Sequence, residues 1–294
     1  MIFPPEGFED FLKPDCDRKQ FIIDRLATHG IKSSIVKIEN SNHIFVHFPS
    51  SAYNPQFKIK TVLVHYDRVE NSPGANDNSA AIFQIMDWAI RLSKRNDVHN
   101  IRIFFTDGEE MGASGGVQEQ GAFGIASKFR KLGILQNDVY VFDCCGRGTI
   151  PIISKAGIGI GNHTFQKQIL SLISRTENLV RSVSSQNWLS LPIPYSDNAG
   201  FLACGIPAVA ITLLPQEEAT QYLKELHTNP SLAEAIMGHK NPKTKLSPCE
   251  IQKKLPITWR LLHTKYDSVN SLTPEAFVLM EKLLDTLANT KYLS

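Results

Sequence analysis

His65 and Asp67 close the apolar run "TVLVHYD" (61 to 67) and stand two residues apart, so both side chains point to one face of a strand. Twelve residues after His65 comes Asp77, inside the cramped polar stretch "GANDNSAA" (74 to 81). A second apolar run, "IRIFFTD", leads into Glu109 and Glu110, and a third, "VYVFDCC", carries Asp143. In open α/β sheets the carboxyl ends of the strands gather into one crevice where ligands bind. Carboxylates brought together there around one imidazole repel one another unless something positive neutralises them, and a metal ion is the economical answer. Taken singly, an HxD or a glutamate pair is an ordinary solvated feature; placement at successive strand ends is what points to chemistry. Oxygen and imidazole donors without thiolate suit zinc, with manganese or cobalt as substitutes. Two metals roughly 3.5 to 4 Å apart lower the pKa of a shared water and polarise a scissile carbonyl together. Glu109 and Glu110 are adjacent and cannot easily serve the same metal, which leaves one of them free to move protons, best with a pKa lifted by a partly dry site.

Near the C-terminus, "TWRLLHTKYDSVNSLTPEAF" places His263 in a loop before a helix with Thr273 as its cap and Pro274 at its first position. The other seven histidines, His29, His43, His47, His99, His163, His227 and His239, lack comparable company and read as structural or exposed.

Positioning such groups requires a sheet. The runs 61 to 67, 101 to 107, 139 to 145 and 208 to 214 are short, β-branched or aromatic, and nearly continuous in hydrophobicity, as expected of strands covered on both faces. "SSIVKIE" and "HIFVHFP" alternate and read as a hairpin near an edge. Helical patterns fall at about 8 to 28, 79 to 95, 122 to 132, 164 to 173 and 274 to 289. The fold class implied is α/β: a mixed, mostly parallel central sheet with helices on both faces, a three-layer sandwich. The 294 residues are read as one catalytic domain, with a polar excursion at about 215 to 257 that is either a wall or lid of the site or plain surface elaboration.

The composition is 42% hydrophobic and 20% charged with a formal net charge of +2, which gives no reason to expect a nucleic-acid or membrane partner. No stretch approaches the roughly 20 apolar residues of a spanning helix, and the first residues lack the pattern of a signal peptide, so a cytoplasmic location is expected. Five cysteines show no metal-knuckle spacing and no disulfide framework; Cys144 and Cys145 read as buried thiols. The stretch "KAGIGIGN" lacks the third glycine of a dinucleotide loop and reads as a turn.

The stretches "HYDRVENSPGANDNSAA", "FFTDGEEMGASGG", "VFDCCG", "YSDNAGFLACGIPAVAI" and "LLHTKYDSVNSL", in this order between about residues 61 and 290, resemble the motifs of metallopeptidase family 28, the co-catalytic zinc aminopeptidases. The resemblance implies that Asp77 bridges two zinc ions. His65 and Asp143 would complete one ion's protein ligands, and Glu110 and His263 the other's. Glu109 would be the general base, and Asp67 the carboxylate that orients His65. It also implies a cis peptide bond after Asp77 and a peptide substrate with a free N-terminus. Tyr195 and Asp197 are candidate substrate contacts, Tyr195 either binding an oxyanion or merely packing. Glutaminyl cyclases resemble the same pattern, but use one zinc and typically carry a tryptophan just before the final histidine and another after the glutamate pair. Here Leu262 precedes His263, and no tryptophan lies between Glu110 and Asp143. A third reading is a binding module that kept the fold without catalysis; no ligand or base is missing to favour it.

Overall fold

A computed structural model of the chain describes residues 3–135, 137–237 and 246–294. Among the described residues, eight strands form one sheet: β1 (Ser33–Ile38), β2 (Ser41–Val46), β3 (Lys60–His65), β4 (Ile101–Thr106), β5 (Asp138–Phe142), β6 (Ile150–Ser154), β7 (Leu189–Leu191) and β8 (Ala208–Leu214). Their order is β1-β2-β4-β3-β5-β8-β6-β7. The central strands β4, β3, β5 and β8 run parallel, while β2 pairs antiparallel with β1 and β4, and β6 pairs antiparallel with β8 and parallel with β7. The sheet is mixed and mostly parallel, as expected.

The pleat explains why the central runs are apolar throughout. Along β3, Val62 and Val64 enter one core while Leu63 enters the other; along β5, Tyr140 and Phe142 part from Val139 and Val141 in the same way. The first core packs the sheet against helices Arg18–Thr28, Ala80–Ser93, His163–Ser184 and Pro274–Asn289. The second packs it against Gly121–Lys131, Asn198–Ala203 and Gln216–Thr228. A strand with a core on each face is apolar along most of its length until it ends, small exceptions such as Thr61 and Thr212 aside. Among the described residues, no helix is long and apolar enough to cross a membrane.

Several boundaries differ from the sequence expectation. The pattern at 8 to 28 is two helices, Phe8–Leu12 and Arg18–Thr28, because Pro14 cannot continue the first and Asp17 caps the second by accepting from the Gln20 amide. The helix expected to end near 173 runs on to Ser184, since Thr176, Leu179 and Val180 keep its buried face going. Strands β6 and β7 carry no strand signal in the sequence: β6 contains Pro151, which argues against an interior strand, and β7 has only 3 residues. In the polar excursion, helices Gln216–Thr228, Pro230–Ile236 and Pro248–Lys254 are seen; its residues 238–245 lie outside the described residues.

Lys60 begins β3 and is 1% exposed. Its ammonium donates to the carbonyls of Leu287 at 2.6 Å and Thr290 at 2.5 Å, satisfying acceptors left open at the C-terminal end of the last helix. Lys60→Met keeps the stem but strands those carbonyls, so it should lower unfolding free energy by roughly 2–3 kcal/mol. Urea denaturation checks this; a midpoint equal to that of the parent would show that the bonds contribute nothing.

Candidate metal centre

The site forms where β3, β4 and β5 end side by side. His65 is the last residue of β3, Asp143 follows β5, and Glu109 and Glu110 lie just beyond β4. Asp77 enters from the loop ahead of helix Ala80–Ser93, and His263 from the loop after helix Ile257–Leu261. All five expected ligands, Glu109 and Asp67 are brought together.

Asp77 sits in the middle. Its Oδ1 is 3.2 Å from His65 Nε2, and its Oδ2 is 3.1 Å from His263 Nε2. His65 Nε2 also lies 3.6 Å from Asp143 Oδ1, and His263 Nε2 lies 3.1 Å from Glu110 Oε2. Two ligand-like triads therefore share one carboxylate: His65, Asp77 and Asp143 on one side, and Asp77, Glu110 and His263 on the other. Their donor atoms lie within 4.8 Å of one another in each triad, and a third grouping joins His65 with Glu109 and Glu110. Behind the triads, Asp67 Oδ1 stands 3.5 Å from His65 Nδ1, while its Oδ2 accepts from the Glu110 amide at 2.9 Å. The strand end and the glutamate turn are thus tied to one carboxylate.

The crowding of charge shows in the titration of these groups. Burial works against a charged His65, yet the carboxylates of Asp143, Asp67 and Asp77 hold its pKa well above the ordinary value. Burial likewise opposes ionisation of Asp77, but His263 and His65 hold its carboxyl below the usual range. His263, flanked by Asp77 and Glu110, is raised to about 10. Glu109 is lifted well above its ordinary value, by burial first and by Asp143, Asp197 and Asp77 after it. His65 Nε2 and Glu110 Oε1 are buried without a hydrogen-bond partner. Lone pairs of an imidazole nitrogen and a carboxylate oxygen left without a hydrogen to accept fit a cation, and oxygen with imidazole nitrogen fits zinc.

The polar stretch around Asp77 is buried: Asn76 is 2% exposed, Asn78 and Ser79 0%. Asn76 Oδ1 accepts from the Gly146 amide at 2.7 Å, and Asn78 Nδ2 donates to the Phe142 carbonyl at 2.9 Å. Gly74 has φ 64°, and a Cβ there would meet the Asp77 carbonyl oxygen at 2.6 Å, so only glycine lets the loop double back so tightly. The Asp77–Asn78 peptide bond is cis, as the resemblance implied. Asp267, not singled out from the sequence, clamps the loop: its carboxylate accepts from the amides of Asn76 at 2.8 Å and Asp77 at 3.1 Å. It lies in the quoted "LLHTKYDS" motif, but a lone aspartate in a loop carries no mark of such a role.

A cavity of about 720 Å³ opens beside the triads. Asp77, Glu109, Glu110, Asp143 and His263 occupy one end, and Ile193, Leu202, Met237, Trp259 and Leu262 are among its apolar lining. Tyr195 also lines it. Asp197 does not; it is fully buried, accepts from the Thr106 hydroxyl, and is raised to about 7 by burial. Trp259 reaches the cavity from four residues before His263, a contact that the spacing in the sequence does not announce.

Comparison with known structures places this geometry. Legionella pneumophila LapA aminopeptidase is similar at 16% identity with a TM-score of 0.60, over 98% of this chain and 66% of that one. Porphyromonas gingivalis glutaminyl cyclase is similar at 14% identity with a TM-score of 0.63, over 97% and 94% of the two chains. BSAP, a zinc aminopeptidase from Bacillus subtilis, is similar at 16% identity with a TM-score of 0.53, over 84% and 49%. At these identities the likeness is one of fold, and this chain spans just under two thirds of the LapA chain. No curated protein matches the sequence. The sequence pattern of Peptidase family M28, however, matches residues 52–288, a segment that contains every ligand-like residue of the two triads, and the chain belongs to that family.

Proposed function

We propose that the chain is a zinc-dependent hydrolase, an aminopeptidase that releases N-terminal residues from peptides at a centre of two zinc ions. The observation that carries this reading is the placement of Asp77, whose two oxygens face two different pairs of histidine and carboxylate. A single-metal site has no use for that symmetry. His65 and Asp143 would hold one ion, Glu110 and His263 the other, with Asp77 shared. When bound, such ions lower the pKa of a shared water and polarise the scissile carbonyl. Asp67 keeps the His65 ring turned so that its Nε2 faces the centre. Glu109, buried and raised in pKa, accepts the proton from the attacking water and returns it to the leaving amine. The apolar walls exclude solvent and seat the substrate side chain, the acid-rich end attracts its free α-amine, and Tyr195 donates to the developing oxyanion.

One observation favours a second reading, cyclisation of N-terminal glutamine: Trp259 lines the cavity although no tryptophan stands just before His263. Peptides with a free amine, an acetylated N-terminus and an N-terminal glutamine separate the two. An aminopeptidase cleaves the first, ignores the second and releases free glutamine from the third. Pyroglutamyl product would establish the cyclase instead, and equal turnover of acetylated and free peptides would sink both.

Metal titration tests the shared carboxylate. The protein should take up close to two equivalents of zinc, and His263→Ala should empty mainly the position it shares with Glu110. Asp77→Asn should weaken both. Saturation at one equivalent under excess zinc would refute the bridge.

The two glutamates should separate by their response to metal. Glu109→Gln keeps volume but cannot take the proton, so it should reduce turnover by roughly 10²- to 10⁴-fold with zinc content intact. Glu110→Gln removes an anionic ligand, so zinc binding should weaken and added zinc should restore part of the activity. The reverse pattern would exchange their roles.

A further inference from the structure

We propose that Gln120 is a positioning residue that holds the carboxylate of Glu109, and that the absent side chain of Gly112 is what lets it reach. This rests on the reading of Glu109 as the base. Gln120 lines the cavity beside the glutamate pair and is 7% exposed. Its Nε2 donates to Glu109 Oε1 at 3.1 Å and lies 3.5 Å from the Glu109 carbonyl oxygen. Its own Oε1 is buried and has no hydrogen-bond partner among the described residues. The interaction with Glu109 is therefore the one return on burying this amide, and it fixes the amide's orientation, since only the NH2 side can face a carboxylate.

The surroundings enforce the contact from two directions. Gly121, the next residue, donates its amide to the Gly108 carbonyl at 3.2 Å, which pins the Gln120 backbone beside the strand end that leads into Glu109. Gly112 donates to the Glu109 carbonyl at 3.0 Å, so the turn after the glutamates folds back over the Gln120 side chain. A Cβ on Gly112 would stand 2.4 Å from Cγ of Gln120 and 2.7 Å from both its amide carbon and Nε2. Its backbone is not in the left-handed region, so alanine there acts through the contact with Gln120, whose side chain must move from Cγ outward and carry the amide with it. The glycine-rich loop "GASGGVQEQG" is thus a support for the base as well as a rim of the cavity.

A double-mutant cycle in the zinc-loaded enzyme tests this. Gln120→Leu removes the donor and Gly112→Ala pushes it away. Each should lower kcat by about 10- to 100-fold, the loss of one hydrogen bond to a charged group, with KM, zinc content and thermal midpoint unchanged. The double variant should be no worse than either single one, because both act through the same amide. A purely structural role would instead move the midpoint. Gln120→Asn, one methylene short of the carboxylate, should remain as impaired as Gln120→Leu. Full kcat in Gln120→Leu while Glu109→Gln is inactive would overturn the inference and leave the base assignment standing. Multiplicative losses in the double variant would also overturn it. Full activity of Glu109→Gln would overturn the base assignment, and the inference with it.

Discussion

Negative charge buried without enough protein cations is the constraint to which the fold around this site answers. Asp67, Asp77, Glu109, Glu110 and Asp143 crowd the ends of three neighbouring strands, with Asp197 and Asp267 buried close behind. In a low-dielectric interior such charges repel strongly, and each seeks a proton, a donor or a cation. The imidazoles of His65 and His263 answer on the cavity side. On the far side, Arg18 is 6% exposed and lies over the Phe11 ring at 4.3 Å. It donates to the Ser79 hydroxyl and to the Asp67 carbonyl, one residue at each end of the loop that carries Asp77. Burial lowers its pKa to about 9, which still leaves a cation at neutral pH. The N-terminal helices precede the residues matched to the family, yet they brace its centre.

The second requirement is that several loops meet at fixed distances, and backbone groups rather than metal ligands meet it. Asn76, Asn78 and Asp267 spend their polar atoms on amides and carbonyls of neighbouring loops. This is why "GANDNS" is both polar and buried. A polar group hidden from water is tolerable when each lone pair and proton finds a partner. Here most partners are backbone groups: the Phe142 carbonyl at the end of β5, the Gly146 amide after it, and the amides of the Asp77 loop itself, with Asn76 Nδ2 alone of these side-chain groups left without one among the described residues. One aspartate in the stretch is left to face the cavity because its neighbours have taken over the work of holding the loop.

What could be read from the sequence follows from the same physics. The central strands were legible because burial on both faces removes most polar residues from them, and the ligand-like residues were legible because charged groups cluster where the strands stop. β6 and β7 were not, since Pro151 and a length of 3 residues hide the pattern. The extension of the helix beyond residue 173 was missed because its exposed faces are polar while the buried stripe continues through Thr176 and Leu179. Asp267 acts through its two carboxylate oxygens and Gln120 through its Nε2, on loops whose approach depends on tertiary structure. Asp197 reads as a substrate contact in sequence, but the fold turns it under the cavity floor onto Thr106.

The polar excursion shows how distant segments come to shape one cavity. Glu218, on helix Gln216–Thr228, accepts from the Thr258 amide at 2.7 Å and from Arg147 at 3.3 Å. Arg147 follows β5 and also donates to the Thr258 hydroxyl and the Ser271 carbonyl. The same helix carries Tyr222, whose ring meets Trp259 edge-on at 5.0 Å and whose hydroxyl donates to the Pro192 carbonyl at 2.6 Å. The Arg147–Glu218 ion pair fixes the excursion to the segment after β5 that carries Asp143, the Thr258 amide and the Trp259 ring to the segment that carries His263, and the Tyr222 hydroxyl to the segment ahead of Tyr195. Met237 and Trp259 are held against the cavity as a result. The wall facing the acidic end is apolar because its residues also form the edge of the second core, with Trp259 and Ile193 belonging to both. Substitutions chosen to alter side-chain preference at this wall must then be weighed against packing, since the same atoms serve the pocket and the fold.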